Sequence, residues 1–164
     1  LDDGIDTGGI IAQVRIPFTA DLDAGLLYQL SFIAEKEAYT AAAAVGFRPM
    51  RSSGKVAGTL YYSFKPEDLR IDWSAPLTTI VHRIKAFGTR NKGAWFEHNK
   101  QRVVVRDAEP VTNPFLVERA DQWSVGQVVF VYERKLVVHH REGFIKMMDL
   151  DGEWEGVKAG MILG

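Results

Sequence analysis

Val128-Val129-Phe130-Val131-Tyr132-Glu133-Arg134-Lys135-Leu136-Val137-Val138-His139-His140-Arg141-Glu142-Gly143-Phe144-Ile145-Lys146-Met147-Met148 is the stretch that decides the fold. Its β-branched and aromatic runs are broken twice by turn-forming groups, at Glu133-Arg134-Lys135 and at Glu142-Gly143. That pattern predicts strands over Val128–Tyr132, Leu136–His140 and Phe144–Met148. Two shorter runs precede them, Ala94-Trp95-Phe96 and Arg102 to Arg106, separated by the turn signal His98-Asn99-Lys100. Ahead of these, Leu77, Ile80, Val81, Ile84 and Phe87 recur on one side of a helix from Ser74 to Phe87. Ser74 is placed to cap it and Pro76 fits its first turn. Five short strands behind one helix suggest a small antiparallel β-barrel of the OB type.

The first third reads differently. Residues 10–18 carry β-branched Ile10, Ile11, Val14 and Ile16 and end in Pro17-Phe18, which predicts a strand. A helix should follow from about Leu22 to Val45, because Leu22, Leu26, Leu27, Leu30, Ile33, Ala34 and Ala38 return at helical spacing. Thr19 or Asp21 can start it and Gly46 can end it. A strand feeding a long helix suggests the last part of an α/β unit. Charge divides at the same place: residues 1–50 carry three basic and seven acidic side chains, whereas residues 51–164 carry seventeen and fourteen. The polar stretch Arg51-Ser52-Ser53-Gly54-Lys55 reads as a linker. The expected organisation is therefore residues 1–50, a linker over 51–62, and a domain over 63–164.

Composition sets the limits. The 164 residues are 46% hydrophobic and 25% charged, with a net charge of -1, as in a soluble globular domain and unlike a wholesale nucleic-acid binder. No apolar run reaches the length of a membrane span. With no cysteine, disulfides, thiolate zinc sites and a cysteine nucleophile are excluded. No signal-peptide pattern opens the chain, so a cytoplasmic setting is expected. The chain starts at Leu1, already in what looks like the middle of a domain, and we expect a fragment of a longer protein.

Asp6-Thr7-Gly8 is the sharpest local signal. It is first of all a turn sequence. It is also the triplet of aspartic proteases, but there is no second copy, Gly9 stands where Ser or Ala belongs, and no strand precedes it. A third reading comes from a wider match. Leu1-Asp2-Asp3-Gly4-Ile5-Asp6-Thr7-Gly8-Gly9-Ile10-Ile11, then Gln13-Val14-Arg15-Ile16-Pro17, then Asp21-Leu22-Asp23-Ala24-Gly25-Leu26-Leu27-Tyr28-Gln29-Leu30, resembles the end of the catalytic domain of 10-formyltetrahydrofolate-dependent formyltransferases. Ile71-Asp72-Trp73, Ile84-Lys85-Ala86-Phe87, Gly93-Ala94-Trp95-Phe96 and Val125-Gly126-Gln127-Val128-Val129 are similar, in order, to motifs of that family's C-terminal domain.

The resemblance implies an α/β fragment, the terminal strand and helix of a Rossmann-like catalytic domain, followed by the OB-like domain. It implies 10-formyltetrahydrofolate as formyl donor and an amine as acceptor, either methionyl-tRNA, an amino sugar or another small amine. The family works with an Asn, a His and an Asp. Asp6 matches the Asp, while the Asn and His, beside a Ser-Leu-Leu-Pro motif in the family, are absent from these 164 residues. This chain alone is therefore expected to be inactive. In that chemistry the amine attacks the formyl carbon, Asn and protonated His stabilise the oxyanion, and the Asp helps the amine proton leave. Gly4, Thr7 and Gly8 are the implied folate-side contacts, the glycines letting backbone approach the ligand. Two departures widen the acceptor class: Gly9 replaces the usual Asp or Pro, and Gly88-Thr89-Arg90-Asn91-Lys92 replaces the Pro-Trp-Pro-like segment of the methionyl-tRNA branch.

From His82 to Arg106 the chain has seven Lys or Arg and one acid, Glu97. Arg90, Lys92 and Arg102 are candidate contacts to phosphates of tRNA or a nucleotide sugar, with Trp95 and Phe96 as base-stacking partners. The plainer reading has the arginines facing water and Trp95 or Phe96 in the core. His139-His140 adjoin on a strand and point to opposite faces, so no metal site is expected there. Two further expectations complete the reading: a dimer through the apolar face of helix 22–45, and, as the alternative to an enzyme, a stand-alone module binding nucleic acid or protein.

Overall fold

A computed structural model describes residues 8–50, 63–90 and 92–163. The chain divides into two compact units, Leu1–Ser63 and Phe64–Gly164.

In the first unit, helix α1 spans Ala24–Ala44. Its N-cap is Asp23, whose side chain accepts the Leu26 N–H at 2.8 Å, and not Thr19 or Asp21. Gly46 ends it with φ of 61°, and the Phe47 N–H returns to the Ala42 carbonyl. The expected strand over residues 10–18 is absent. Only Ile10 takes part in a bridge, its carbonyl accepting the Met50 N–H at 2.9 Å. β-Branched residues make a strand only where neighbours supply a ladder, and the described part of this unit supplies none.

The second unit is one antiparallel sheet with helical segments on both faces. Its strands are β1 (Ala94–His98), β2 (Gln101–Val111), β3 (Val128–Tyr132), β4 (Lys135–His140) and β5 (Gly143–Gly152). Their order is β1-β2-β5-β4-β3. The sheet is open: β1 and β3 are its edges, and among the described residues no ladder closes it into a barrel. Both edges are covered in part. Arg70 bridges Trp95 beside β1, and the Ile71 N–H donates to the Trp95 carbonyl. Residues 160–163 run along β3, with Val128 N–H on the Met161 carbonyl and Leu163 N–H on the Gly126 carbonyl. Gly126 (φ 82°) is required there, because a Cβ would stand 2.8 Å from the Leu163 carbonyl oxygen.

Helix α2, Leu77–Phe87, lies chiefly against β2 and buries Leu77, Ile80, Val81 and Ile84. These join Phe96, Val103, Val105, Leu136, Val138, Ile145, Met147 and Leu150 in the main core. Each such side chain contributes on the order of 1.5–3 kcal/mol by leaving water. The opposite face buries Val129, Val137 and Phe144 under Leu116, Ala120 and Trp123, which belong to helix α3 (Pro114–Val117) and the turn after it. β4 is thus covered on both sides, which is why its sequence is a continuous apolar run and not an alternation.

The start of α2 departs from expectation. It begins at Leu77, not Ser74, and Ser74 does not cap it. Ser74 instead donates through N–H and Oγ to Asp72 Oδ1, at 2.9 and 2.6 Å. Those bonds, and less so the charges of Arg83 and Arg141, hold the Asp72 carboxyl below its usual range. The cap comes from the β4–β5 turn: Glu142 Oε2 accepts the Leu77 N–H at 2.9 Å. His140, almost fully buried, accepts the Glu142 N–H on Nδ1, which assigns its proton to Nε2, 3.0 Å from the Ala75 carbonyl. Two residues of one turn thereby fix the helix to the sheet.

Across β2 and β5, Arg106 pairs with Asp151 at 2.7 Å and with Asp149 at 4.0 Å. The Arg106 bond and the Gly152 N–H hold the Asp151 carboxyl below its usual range.

Glu142→Ala should lower stability by about 1 kcal/mol, the worth of a cap, whereas Glu142→Gln, which keeps an acceptor, should lose much less; urea denaturation measures both. Asp151→Asn should differ from the parent protein at neutral pH. Because the folded Asp151 carboxyl is depressed, its contribution is present above the unfolded value of about pH 4 and disappears as pH falls through the lower folded value. The two unfolding curves should therefore converge in acid.

Candidate functional site

Gly4, Asp6 and Thr7 lie outside the described residues. Gly8 is exposed, with open space where a side chain would stand. The three candidate cations occupy different settings. Arg90 is exposed. Lys92 holds its ammonium 4.5 Å over the Phe64 ring. Arg102 stacks 4.2 Å over Trp95 and pairs with Glu67 at 3.7 Å. Trp95 and Phe96 are not available for stacking on bases: they are 7% and 1% exposed, and the Trp95 indole N–H is spent on the Pro66 carbonyl at 2.8 Å. Both pack into the domain, because the odd and even sides of this edge strand are covered by the 66–71 segment and by α2.

Other members of the basic stretch have contacts within the second unit. Arg106 is tied to β5, Arg102 to Trp95 and Glu67, and Arg83 lies on α2 beside Asp72. His139 and His140 do face opposite ways, as adjacent strand residues must. The His140 ring bonds toward the start of α2, while the His139 ring lies 4.9 Å from Phe144 on the second face. Among the described residues no group of three His, Asp or Glu is placed to hold a metal ion, and no helix is long and apolar enough to cross a membrane.

A different surface has the properties sought in the basic stretch. A groove of about 920 Å³ crosses the second face of the sheet, with Phe115, Arg119, Trp123, Phe130, Tyr132 and Lys146 in its walls. Phe115, Phe130 and Tyr132 are 69%, 45% and 42% exposed, which is high for aromatic rings clustered on one face. Arg119 stands 3.9 Å over Phe115 and is anchored by a 2.7 Å bond to that residue's carbonyl. Lys135 stands 5.4 Å over Tyr132. At the floor Lys146 pairs with Glu109, and that bond raises the Lys146 ammonium above its ordinary range. Val137 lines the groove, and His139, two residues along the same face of β4, keeps a buried Nδ1 without a partner among the described residues.

Sequence reading missed this groove. Phe130 and Tyr132, two apart on one strand, were legible as sharing a face. That the face stayed open, and that residues 113–123 would wall it with Phe115, Arg119 and Trp123, depends on contacts between segments far apart in the chain.

Comparison with known proteins gives the lineage. Residues 63–155 match the family model described as formyl transferase, C-terminal domain. Methionyl-tRNA formyltransferases of Neisseria meningitidis (serogroup C, strain 053442) and Neisseria gonorrhoeae (strain ATCC 700825 / FA 1090) are each 27% identical to the chain over 158 residues. The match covers 92% of this chain and 47% of those enzymes, so the chain spans about half their length. Among solved structures, a variant of HypX from Aquifex aeolicus shares the fold with a TM-score of 0.70 at 16% identity, over 93% of this chain and 27% of that one. Another HypX structure, in complex with tetrahydrofolic acid, aligns over 74% of this chain and 20% of its own with a TM-score of 0.50 at 16% identity. By the match of its second unit, the chain belongs to the formyl transferase family and carries that family's C-terminal domain.

Proposed function

We propose that this chain is the C-terminal portion of an enzyme that moves a formyl group from 10-formyltetrahydrofolate to an amine. The observation that carries the reading is the extent of the match to methionyl-tRNA formyltransferases, which runs through 92% of the chain and so reaches beyond the C-terminal domain into residues 1–50. Those residues would be the end of the Rossmann-like catalytic domain, 51–62 the linker, and 63–164 an OB-like domain whose open sheet binds the acceptor. Asp6 is the carboxylate that helps the attacking amine lose its proton, with Gly4, Thr7 and Gly8 beside the folate. The oxyanion is left to an Asn and a His outside these 164 residues, so the chain alone would not catalyse transfer.

On this reading the acceptor is a tRNA, since the relatives are tRNA formyltransferases, and the aromatic groove is a better stacking surface than the basic stretch. Arg90, Lys92 and Arg102 then have at most an auxiliary role with phosphates, and an amino sugar or other small amine is the remaining acceptor class. Tyr28, Phe32 and Ile33, exposed on α1, are where self-association through helix 22–45 would act in a cytoplasmic protein.

The same groove favours a second reading, a stand-alone module that binds RNA without catalysis. The first of two experiments separates them, and the second tests the groove that both use. In the full-length protein, Asp6→Ala should lower formyl transfer by about 10²–10⁴-fold, the usual worth of a general base, with folate binding retained; unchanged transfer excludes Asp6 from the mechanism. In the 164-residue chain, Phe130→Ala should weaken binding of single-stranded RNA by about 1–3 kcal/mol, and Arg119→Ala should reduce the salt slope by about one. Filter binding across a salt series measures both, and parent-like affinities in both variants place the acceptor elsewhere.

A further inference from the structure

Strand register places four side chains of the aromatic groove in one row. Phe130 of β3 stands opposite Val137 of β4, Val137 opposite Lys146 of β5, and Lys146 opposite Glu109 of β2. All four line the groove. Residues opposite one another share a face, and neighbouring strands are about 4.8 Å apart, so an aromatic ring and an ion pair end a row about 14 Å long. Tyr132, two residues on from Phe130, adds a second ring to the aromatic end. The Glu109 bond first, and the Tyr132 phenol after it, raise the Lys146 ammonium above its ordinary range, so that ammonium is within electrostatic reach of the ring.

The ion pair is open to the groove. The Lys146 and Glu109 side chains are 25% and 48% exposed. An ammonium donates three N–H and a carboxylate accepts at about four positions, so their mutual bond leaves donors and acceptors for a ligand. The row therefore presents a flat apolar surface ending in a cationic donor beside an anionic acceptor. Among nucleobases, the Watson–Crick edge of guanine is the best complement: O6 accepts from the ammonium, while N1–H and N2–H donate to the carboxylate. Cytosine and adenine offer the carboxylate an amino group but no ring N–H. Uracil sets its one N–H between two carbonyl oxygens and turns an oxygen toward the carboxylate. A carboxylate repels phosphates, so within a groove that stacks RNA Glu109 suits a base edge and Arg119 the backbone.

We propose that the groove selects a guanine base of single-stranded RNA, stacked at the Phe130–Tyr132 end with its Watson–Crick edge on Lys146 and Glu109. The inference rests on the reading of the groove as an RNA-stacking surface and adds base identity to it. Phe130 serves any base, whereas Glu109 determines specificity.

The test titrates the 164-residue chain, at fixed salt and by fluorescence anisotropy, with a short oligouridylate and with the same strand carrying one central guanosine or inosine. The guanosine strand should bind about tenfold more tightly than oligouridylate, within the range of a good bidentate base contact. Inosine, which lacks the N2 amino group, should lose much of that gain. Glu109→Gln should bring the ratio of guanosine to uridine affinity close to one, because an amide accepts through one oxygen only. Phe130→Ala should weaken both strands and leave their ratio standing. The inosine strand needs no variant, so the test holds even if Glu109→Gln disturbs the fold, which urea denaturation checks. Equal affinity for the guanosine and uridine strands, equal affinity for guanosine and inosine, or a ratio unchanged in a folded Glu109→Gln protein each overturn the inference and leave the stacking surface standing. No binding of either strand overturns the stacking surface and the inference with it.

Discussion

The second unit depends on the double-sided burial of the β4–β5 hairpin. Leu136, Val138, Ile145 and Met147 join the main core to which α2 contributes, while Val137 and Phe144 go under the 114–123 segment. A hairpin alone is marginal in water, but one clamped between two apolar layers fixes the position of everything that touches it. β2 and β3 pair to its two sides, and α2, which lies chiefly against β2, is tied to the hairpin by the turn at its end. Because Glu142 caps α2 and His140 holds Ala75, the helix is set in register with the sheet by directional bonds as well as by packing.

That arrangement determines which surfaces remain for binding. The edge strands are covered in part, by Arg70-Ile71 at Trp95 of β1 and by residues 160–163 at the start of β3. Trp95 and Phe96 are used up in the core and Arg102 and Arg106 in ion pairs. The aromatic groove on the second face of the sheet remains open.

The strands were legible where the pattern is local. Val128–Tyr132 is found as expected, and the runs ending at His140 and Met148 are found with longer bounds. The turns were legible too, although Asn99-Lys100 and Glu133-Arg134 take positive φ without glycine. Long-range effects were not. Asp23 and not Asp21 caps α1, the run 10–18 has no ladder, and the cap of α2 comes from a residue 65 positions away. Of the site residues, Asp6 could be named only because its motif resembles a family's. The groove of Phe115, Trp123, Phe130 and Tyr132 had no motif at all.

By itself the sequence determined which segments form strands and which face of α2 is apolar, because side-chain period and turn chemistry act over a few residues. It also determined the lineage, because an ordered series of short motifs survives even at 27% identity. The tertiary structure alone decided that the sheet is open, that Arg102 and Arg106 of the basic stretch enter ion pairs, and that an aromatic groove remains on one face of the sheet. Those outcomes rest on which distant side chains meet and consume each other's charges and hydrogen bonds, and no local pattern records such a meeting.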